Sequence, residues 1–97
     1  MQTITGKFLE HLPVTEGDSQ HGHWKRGGFV IQCGDEFPRN VAFSCFGEER
    51  LANIQDIQPY TIVQVNYVPE SRKFNERWFT DLRCIGVNIV SNVQTQQ

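Results

Sequence analysis

The sequence predicts an all-β domain with one short helix, and three observations support this. The chain of 97 residues is 38% hydrophobic and 11% aromatic, with Val, Ile and Phe prominent, which is typical of a compact β-rich fold. Several short segments alternate apolar and polar side chains, as half-buried strands do. One segment, residues 47–54, instead spaces its apolar residues as a helix does. The length is sufficient for one domain.

The first strand is predicted at residues 3–12, where apolar and polar side chains alternate. Pro13 is expected to end this strand, because proline has no backbone N–H to donate. Residues 15–22 are polar and contain two glycines, which predicts a loop. The second strand is then expected at residues 24–33.

Two adjacent glycines, Gly27 and Gly28, interrupt the second strand and predict a bend or bulge. Such a feature is expected where a sheet curls strongly enough to close on itself. Residues 34–38 then turn the chain into a third strand, predicted at residues 39–46.

The segment 47–54 predicts the single helix. Leu51 and Ile54 are three residues apart and therefore share a helix face. Glu48 and Glu49 occupy the first turn, where negative charge interacts favourably with the helix dipole. The helix is expected to end before Pro59.

Two further strands are predicted at residues 61–68 and 80–85, joined by a hairpin. The apolar residues that follow position 84 are out of phase with Leu82. A bulge at residues 84–86 would restore the register.

Three strands, a short helix and two strands in about 100 residues is the element order of a five-stranded Greek-key barrel, the OB fold. An SH3-like barrel is the main alternative. We favour the OB fold because the helix is predicted between the third and fourth strands, where that fold uses a helix to close one end of the barrel. Residues 1–90 are therefore assigned to a single OB-fold domain, and the polar residues 91–97 to a flexible tail.

The hairpin between the last two strands carries the strongest functional signal, because residues 72–79 contain three cations and three aromatic rings. Cations neutralise phosphates and ring faces stack on unpaired bases, so this composition suits single-stranded nucleic acid. The alternative is structural: the cations hydrate the tip while Phe74, Trp78 and Phe79 fold back into the core. Phe79 shares its strand face with charged residues and is expected to be more exposed than Trp78.

Overall charge restricts any nucleic-acid site to a local patch. The net charge is −2 and the isoelectric point is near 5.8, whereas non-specific DNA binding normally relies on a basic surface. Residues 72–83 contain four cations (Arg72, Lys73, Arg77 and Arg83) and two anions (Glu76 and Asp81).

The sequence predicts a cytoplasmic protein that does not contact membranes. Its first residues lack a charged lead followed by a long apolar stretch, and no segment approaches the ~20 apolar residues of a membrane span. The three cysteines, Cys33, Cys45 and Cys84, each lie in an apolar strand-like run and are most simply buried hydrophobes in a reducing compartment.

No motif in the sequence predicts catalysis, a metal or a cofactor. His21 and His23 have no third ligand at a recognisable spacing. Glu48 and Glu49 are adjacent, so their side chains point in different directions and do not form a shared acid–base site. The glycines form neither a phosphate loop nor a dinucleotide motif. We therefore expect a protein that is not an enzyme.

Residues 71–83, together with residues 24–26 leading into residues 29–32, resemble a family of short bacterial proteins of unassigned function. That family is similar in fold to single-stranded DNA-binding proteins and to the primosomal protein that shares their OB domain. The resemblance extends from about Thr3 to Val87 and is most specific in the final hairpin. It implies an OB barrel that assembles as a homo-oligomer, with single-stranded DNA as the first ligand to test.

In an OB fold, nucleic acid contacts strands two and three and the flanking loops. The predicted stacking residues are Trp24, Phe74 and Phe79, and the predicted phosphate ligands are Lys25, Arg26, Arg72, Lys73 and Arg77. Trp24 has an alternative role as a cap on the barrel. We expect binding of single-stranded DNA, or of RNA, without chemistry, in a protein whose size suits a bacterium or phage. The alternative function is an OB module that uses the same aromatic face to bind itself or a protein partner, and the acidic net charge favours it.

Overall fold

The computed structural model describes residues 1–91 and contains the predicted elements in the predicted order. The strands are β1 (Gln2–Ser19), β2 (Gly22–Cys33), β3 (Arg39–Phe46), β4 (Ile62–Phe74) and β5 (Arg77–Ser91), and helix α1 (Glu48–Ile54) lies between β3 and β4. The strands close into a barrel in the order β1, β2, β3, β5, β4. The predicted five-stranded OB-fold barrel is therefore confirmed. The predicted tail begins at Ser91, which ends β5, and its residues 92–97 lie outside the described residues.

The core of the barrel is organised by four aromatic rings, one from each of the strands β1 to β4. Phe8 stacks on Phe29, Phe29 packs against Phe43, and Phe43 meets the edge of Tyr67, each pair with 5.3 Å between ring centroids. Such pairs contribute about 0.5–1.5 kcal/mol beyond the burial of their area. The other buried apolar residues are Ile31, Cys45, Leu51, Ile54, Ile57, Val63, Val65 and Cys84.

Helix α1 closes one end of the barrel, as predicted. Leu51 and Ile54 are its buried residues. The N–H of Gly47, whose φ of 97° suits glycine, donates to the carbonyl of Lys25 over 2.9 Å and so joins the start of the helix to β2. A Cβ at Gly27 would lie 2.9 Å from Leu51 Cδ2, so the helix packs this closely because position 27 has no side chain.

The predicted bulge at the glycine pair lies on the neighbouring strand. β2 pairs with β3 without interruption, whereas β1 places both Pro13 and Val14 opposite Gly27. The prediction that Pro13 ends the first strand is wrong, because a bulge tolerates a residue that cannot donate a backbone hydrogen bond. The predicted loop at residues 15–22 is likewise mostly strand, and the turn itself contains only Gln20 and His21.

The last hairpin is longer than the sequence predicted. β4 pairs with β1 only from Ile62 to Tyr67, and beyond that point β4 and β5 pair only with each other, apart from the Ser44–Arg83 bridge to β3. Residues 68–82 therefore form a two-stranded extension, which we call the arm. Its turn consists of Asn75 and Glu76, whose φ values of 51° and 64° are those of the left-handed turns that match the twist of a hairpin.

The bulge predicted at residues 84–86 is confirmed. Gly86 pairs with Asn66 and Cys84 pairs with Tyr67, so Ile85 is the extra residue. The molecule is elongated, with extents of 50 Å, 29 Å and 22 Å along its principal axes. No helix within residues 1–91 is long and apolar enough to cross a membrane.

The β1–β2 hairpin carries one ionisable group with a shifted pKa. His23 Nδ1 lies 3.0 Å from a carboxylate oxygen of Asp18, and its Nε2 lies 2.9 Å from one of Glu16. These bonds, that of Asp18 foremost, raise the pKa of His23 above its usual value. The ion pairs are therefore fully present below the pKa of the unfolded chain, near 6.5, and are lost as the pH rises through the folded pKa.

Replacing Asp18→Asn should lower the pKa of His23, because the substitution removes the largest cause of its rise. The pKa can be followed through the imidazole protons in an NMR titration. Asp35→Asn, in the turn between β2 and β3, is the matched control and should leave the titration of His23 unchanged. An unaltered His23 titration in Asp18→Asn would show that the contact does not persist in solution.

Gly28 should be intolerant of any side chain. A Cβ at this position would lie 2.1 Å from the backbone carbonyl oxygen of Phe43, which cannot move without disturbing the β2–β3 pairing. We expect Gly28→Ala to lower the free energy of unfolding by about 3 kcal/mol or more, measured by urea denaturation with circular dichroism.

Gly86→Ala is the matched control, since the nearest atom to a Cβ there is Asn66 Nδ2 at 4.0 Å. This variant should change the free energy of unfolding by less than about 1 kcal/mol. Equal losses for both variants would contradict the close approach of β2 and β3.

Candidate nucleic-acid interface

The arm presents aromatic and cationic side chains together on one face. Arg72 lies opposite Phe79, and Phe74 lies opposite Arg77, so these four side chains share a face of the ribbon. Phe74 is 65% exposed and Phe79 is 45% exposed. The Arg77 guanidinium carbon is 5.9 Å from the centre of the Phe79 ring, within the range of a cation–π contact.

The alternative in which the rings of the hairpin fold into the core is wrong. Trp78 is 68% exposed and lies opposite Lys73 on the other face of the arm. The expectation that Phe79 is more exposed than Trp78 is also wrong. It assumed that one face of the hairpin covers the barrel, whereas all residues from Val68 to Thr80 are exposed.

The aromatic and cationic side chains continue from the arm onto the barrel. Phe46, at the end of β3, has the guanidinium carbon of Arg83 4.9 Å from its ring centre and that of Arg26 at 5.9 Å. Arg26 is the direct partner of Phe46, and Arg83 is joined to β3 through Ser44. Sequence reasoning missed Phe46 as a site residue, although its position three residues after the inward-facing Phe43 places it on the outer face of the strand.

Trp24 does not cap the barrel. It lies in the β1–β2 hairpin directly opposite Gly17, and a Cβ on Gly17 would be 2.7 Å from the Trp24 ring. One face of the indole therefore lies against a backbone that has no side chain, and 46% of the residue remains exposed. Trp24 shares its strand face with Arg26, two residues further on.

Two ion pairs reduce the positive charge of this surface. Arg83 bonds to Glu70 at 3.3 Å, and Arg72 lies 3.8 Å from Asp81. Each arginine reaches the carboxylate diagonally across the ribbon, so Arg83 pairs with Glu70 and not with Asp81, which is two residues away on its own strand. Within the described residues, Lys73 and Arg77 have no carboxylate within 4 Å. Exposed pairs of this kind contribute only about 0–1 kcal/mol, so an incoming phosphate can replace the carboxylate.

Two of the predicted phosphate ligands lie elsewhere. Lys25 is half-buried on the opposite face of β2 from Trp24 and Arg26, in a groove beside α1. Lys73 lies with Trp78 on the other face of the arm, although the residue also borders a groove lined by Arg72, Phe74 and Phe79.

Six of the eight predicted site residues therefore share one side of the molecule, together with Phe46 and Arg83. We call this set the aromatic-cationic face; its members are Trp24, Arg26, Phe46, Arg72, Phe74, Arg77, Phe79 and Arg83. This face carries four arginines and two carboxylates, those of Glu70 and Asp81. Residues 1–91 contain no group of three or more His, Cys, Asp or Glu side chains that could hold a metal ion.

The structure is similar to those of single-stranded DNA-binding proteins. The mitochondrial single-stranded DNA-binding protein Rim1 from S. cerevisiae is 15% identical with a TM-score of 0.74, over 95% of this chain and 96% of that one. The N-terminal domain of PriB from Thermoanaerobacter tencongensis, described as dimeric, is 16% identical with a TM-score of 0.63, over 94% and 96%. The small single-stranded DNA-binding protein from Streptomyces coelicolor is 10% identical with a TM-score of 0.54, over 91% and 89%.

At sequence identities of 10–16%, these structural likenesses show a shared fold and nothing more. No curated protein sequence matches the chain. A family match, however, covers most of it: residues 3–88 match the family described as domain of unknown function DUF3127. The resemblance to a family of unassigned function is thus confirmed, and the protein belongs to the DUF3127 family.

Proposed function

We propose that this protein binds single-stranded DNA along its aromatic-cationic face without catalysing a reaction. The observation that most supports this is the position of Phe74 and Phe79 beside Arg72 and Arg77 on one exposed face of the arm. Exposed rings flanked by guanidinium groups can stack on bases and contact phosphates at the same time. The fold shared with proteins described as single-stranded DNA-binding supports the same proposal.

The order of contacts along the face suits a flexible chain. Arg26 and Arg83 flank Phe46 on the barrel, and Arg72 and Arg77 flank the two phenylalanines on the arm. A strand that follows these groups meets rings and cations in turn, so its bases can stack while its phosphates are neutralised. No pattern of hydrogen-bond donors specific for base edges is needed, and binding should tolerate many sequences.

The acidic net charge limits the affinity. A chain of net charge −2 gains little from long-range attraction, so binding should rest on the local contacts and fall as salt rises. If all four arginines of the face contact phosphates, the slope of log K against log salt should be about −3, from about −0.7 per phosphate on single strands.

Phe74→Ala should weaken binding of a fluorescein-labelled oligo(dT) by about 1–3 kcal/mol, or about 5- to 150-fold, because one stacking surface is lost. The salt dependence should remain that of the wild type. Arg77→Gln should instead reduce the magnitude of the salt slope by about 0.7. Both quantities are measured by fluorescence anisotropy at several salt concentrations.

Phe37→Ala is the matched control for Phe74→Ala. Phe37 is also highly exposed, at 76%, but it lies in the turn between β2 and β3, at the end of these strands that is far from Phe46. Its removal should leave the affinity unchanged. If wild-type protein gives no salt-sensitive anisotropy change at tens of micromolar, or if Phe37→Ala weakens binding as much as Phe74→Ala, the proposed face is not the DNA site. Competition by oligo(rU) measures any preference between DNA and RNA.

Self-association through the arm is the second candidate function, and the exposure of Trp78 favours it. The arm has two unpaired edges, and its face opposite Phe74 and Phe79 carries the exposed Trp78. An isolated two-stranded ribbon is at best marginally stable in water, so a partner against this face would stabilise it. In this second function the partner is another copy of the same chain.

If the arm mediates self-association, Trp78→Ala should lower the mass measured by sedimentation equilibrium, because tryptophan contributes strongly to interface energies. Phe37→Ala again serves as the control, since it removes an exposed ring away from the arm. A wild-type protein that sediments as a monomer at all concentrations would reject this second function and leave the DNA proposal intact.

A further inference from the structure

Two buried cysteines lie side by side where the barrel closes. Cys45 of β3 is 0% exposed and Cys84 of β5 is 2% exposed. Each follows one member of the Ser44–Arg83 pair, which aligns β3 and β5 in parallel, so the two cysteines are neighbours across the strands. Neighbouring strands are about 4.8 Å apart, within the 4.4–6.8 Å between Cα atoms that a disulfide requires.

This junction has the fewest paired residues in the barrel, so its local opening is the step that brings a small oxidant to the two buried sulfurs. Ser44 and Arg83 are the single pair that joins β3 to β5 within the described residues, whereas β2 and β3 are joined along eight pairs. A cavity of about 350 Å³ lies beside them, with Cys45, Cys84, Arg50, Asn53 and Asn66 among its lining residues, although both cysteines are themselves buried.

We propose that Cys45 and Cys84 form a peroxide-sensitive dithiol that closes reversibly to an intramolecular disulfide. The Cys45 thiolate attacks one oxygen of hydrogen peroxide, the O–O bond breaks, and Cys45 becomes a sulfenic acid while hydroxide leaves. The Cys84 thiol then attacks the Cys45 sulfur and expels its oxygen as water. In total, two thiols are oxidised to one disulfide and one peroxide is reduced to two waters.

The environment assigns different roles to the two sulfurs. The neighbouring Cys84 thiol, assisted by the Arg50 cation, lowers the pKa of Cys45. The neighbouring Cys45 sulfur, together with burial, raises the pKa of Cys84, which therefore keeps its proton. These directions agree with the proposed order, in which Cys45 is oxidised first and Cys84 resolves the sulfenic acid. Cys33 lies on β2 near the opposite end of the barrel and has no cysteine beside it.

The disulfide would tie the one parallel junction of the barrel covalently. It would also lie beneath two residues of the outer face, because Phe46 directly follows Cys45 and Arg83 directly precedes Cys84. Closing a loop of this length restricts the unfolded chain, so the melting temperature should rise by about 5–15 °C on oxidation. Dithiothreitol should reverse the change, as expected for a disulfide and not for a sulfinic acid.

The test is to treat reduced wild-type protein with hydrogen peroxide, alkylate it under denaturing conditions and map the peptides by mass spectrometry. We expect a mass about 2 Da below that of the reduced chain before alkylation, two of the three cysteines that resist alkylation, and a cross-linked pair of peptides that contains Cys45 and Cys84. Cys33→Ser is the matched control and should form the same cross-link with the same rise in melting temperature.

Cys84→Ser should abolish the cross-link and the thermal shift, and its Cys45 should instead be trapped by dimedone as a sulfenic acid. Should that variant fail to fold, the wild-type peptide map still decides the question. A cross-link that involves Cys33 or joins two chains, or three cysteines that all remain alkylatable after peroxide, would overturn the proposal.

Discussion

The architecture depends on the packing of four aromatic rings inside the barrel. Phe8, Phe29, Phe43 and Tyr67 form a continuous column that crosses from β1 to β4, and each ring fixes which face of its strand points inward. β5 contributes no ring to this column. It places Cys84 in the core instead, and its junction with β3 is correspondingly slight.

The column also determines which side chains of the arm point outward. Tyr67 and Cys84 are an opposed pair that faces the core, and strict alternation from there places Arg83, Arg72, Phe74 and Phe79 on the outside. The exposed rings and arginines of the arm therefore line up with Phe46 and Arg26 on the barrel because the interior fixes the register. The candidate interface is thus an outward extension of the core packing.

The sequence was most informative where one side of an element is buried. The strand at Arg39–Phe46 and the helix at Glu48–Ile54 agree with prediction because apolar residues there recur at the period of the element. The ends of β1, β2, β4 and β5 were missed because residues exposed on both faces lose that alternation, and Pro13 resembled a strand end. The composition of the arm indicated a nucleic-acid surface. Its ion pairs, the exposure of Trp78 and the contribution of Phe46 depend on the pairing of distant strands, which one sequence does not reveal.

The tight turn at Asn75 and Glu76 restricts how the arm could change during evolution. Side chains alternate along each strand, so inserting one residue into each strand between the barrel and Phe74 would move Phe74 and the turn-proximal cations to the reverse of the ribbon. Inserting two residues into each strand at the same place would preserve the arrangement and lengthen the ribbon by about 7 Å. Descendants that keep a contiguous ring-and-guanidinium surface should therefore differ in hairpin length by even steps per strand, unless a compensating bulge accompanies the change.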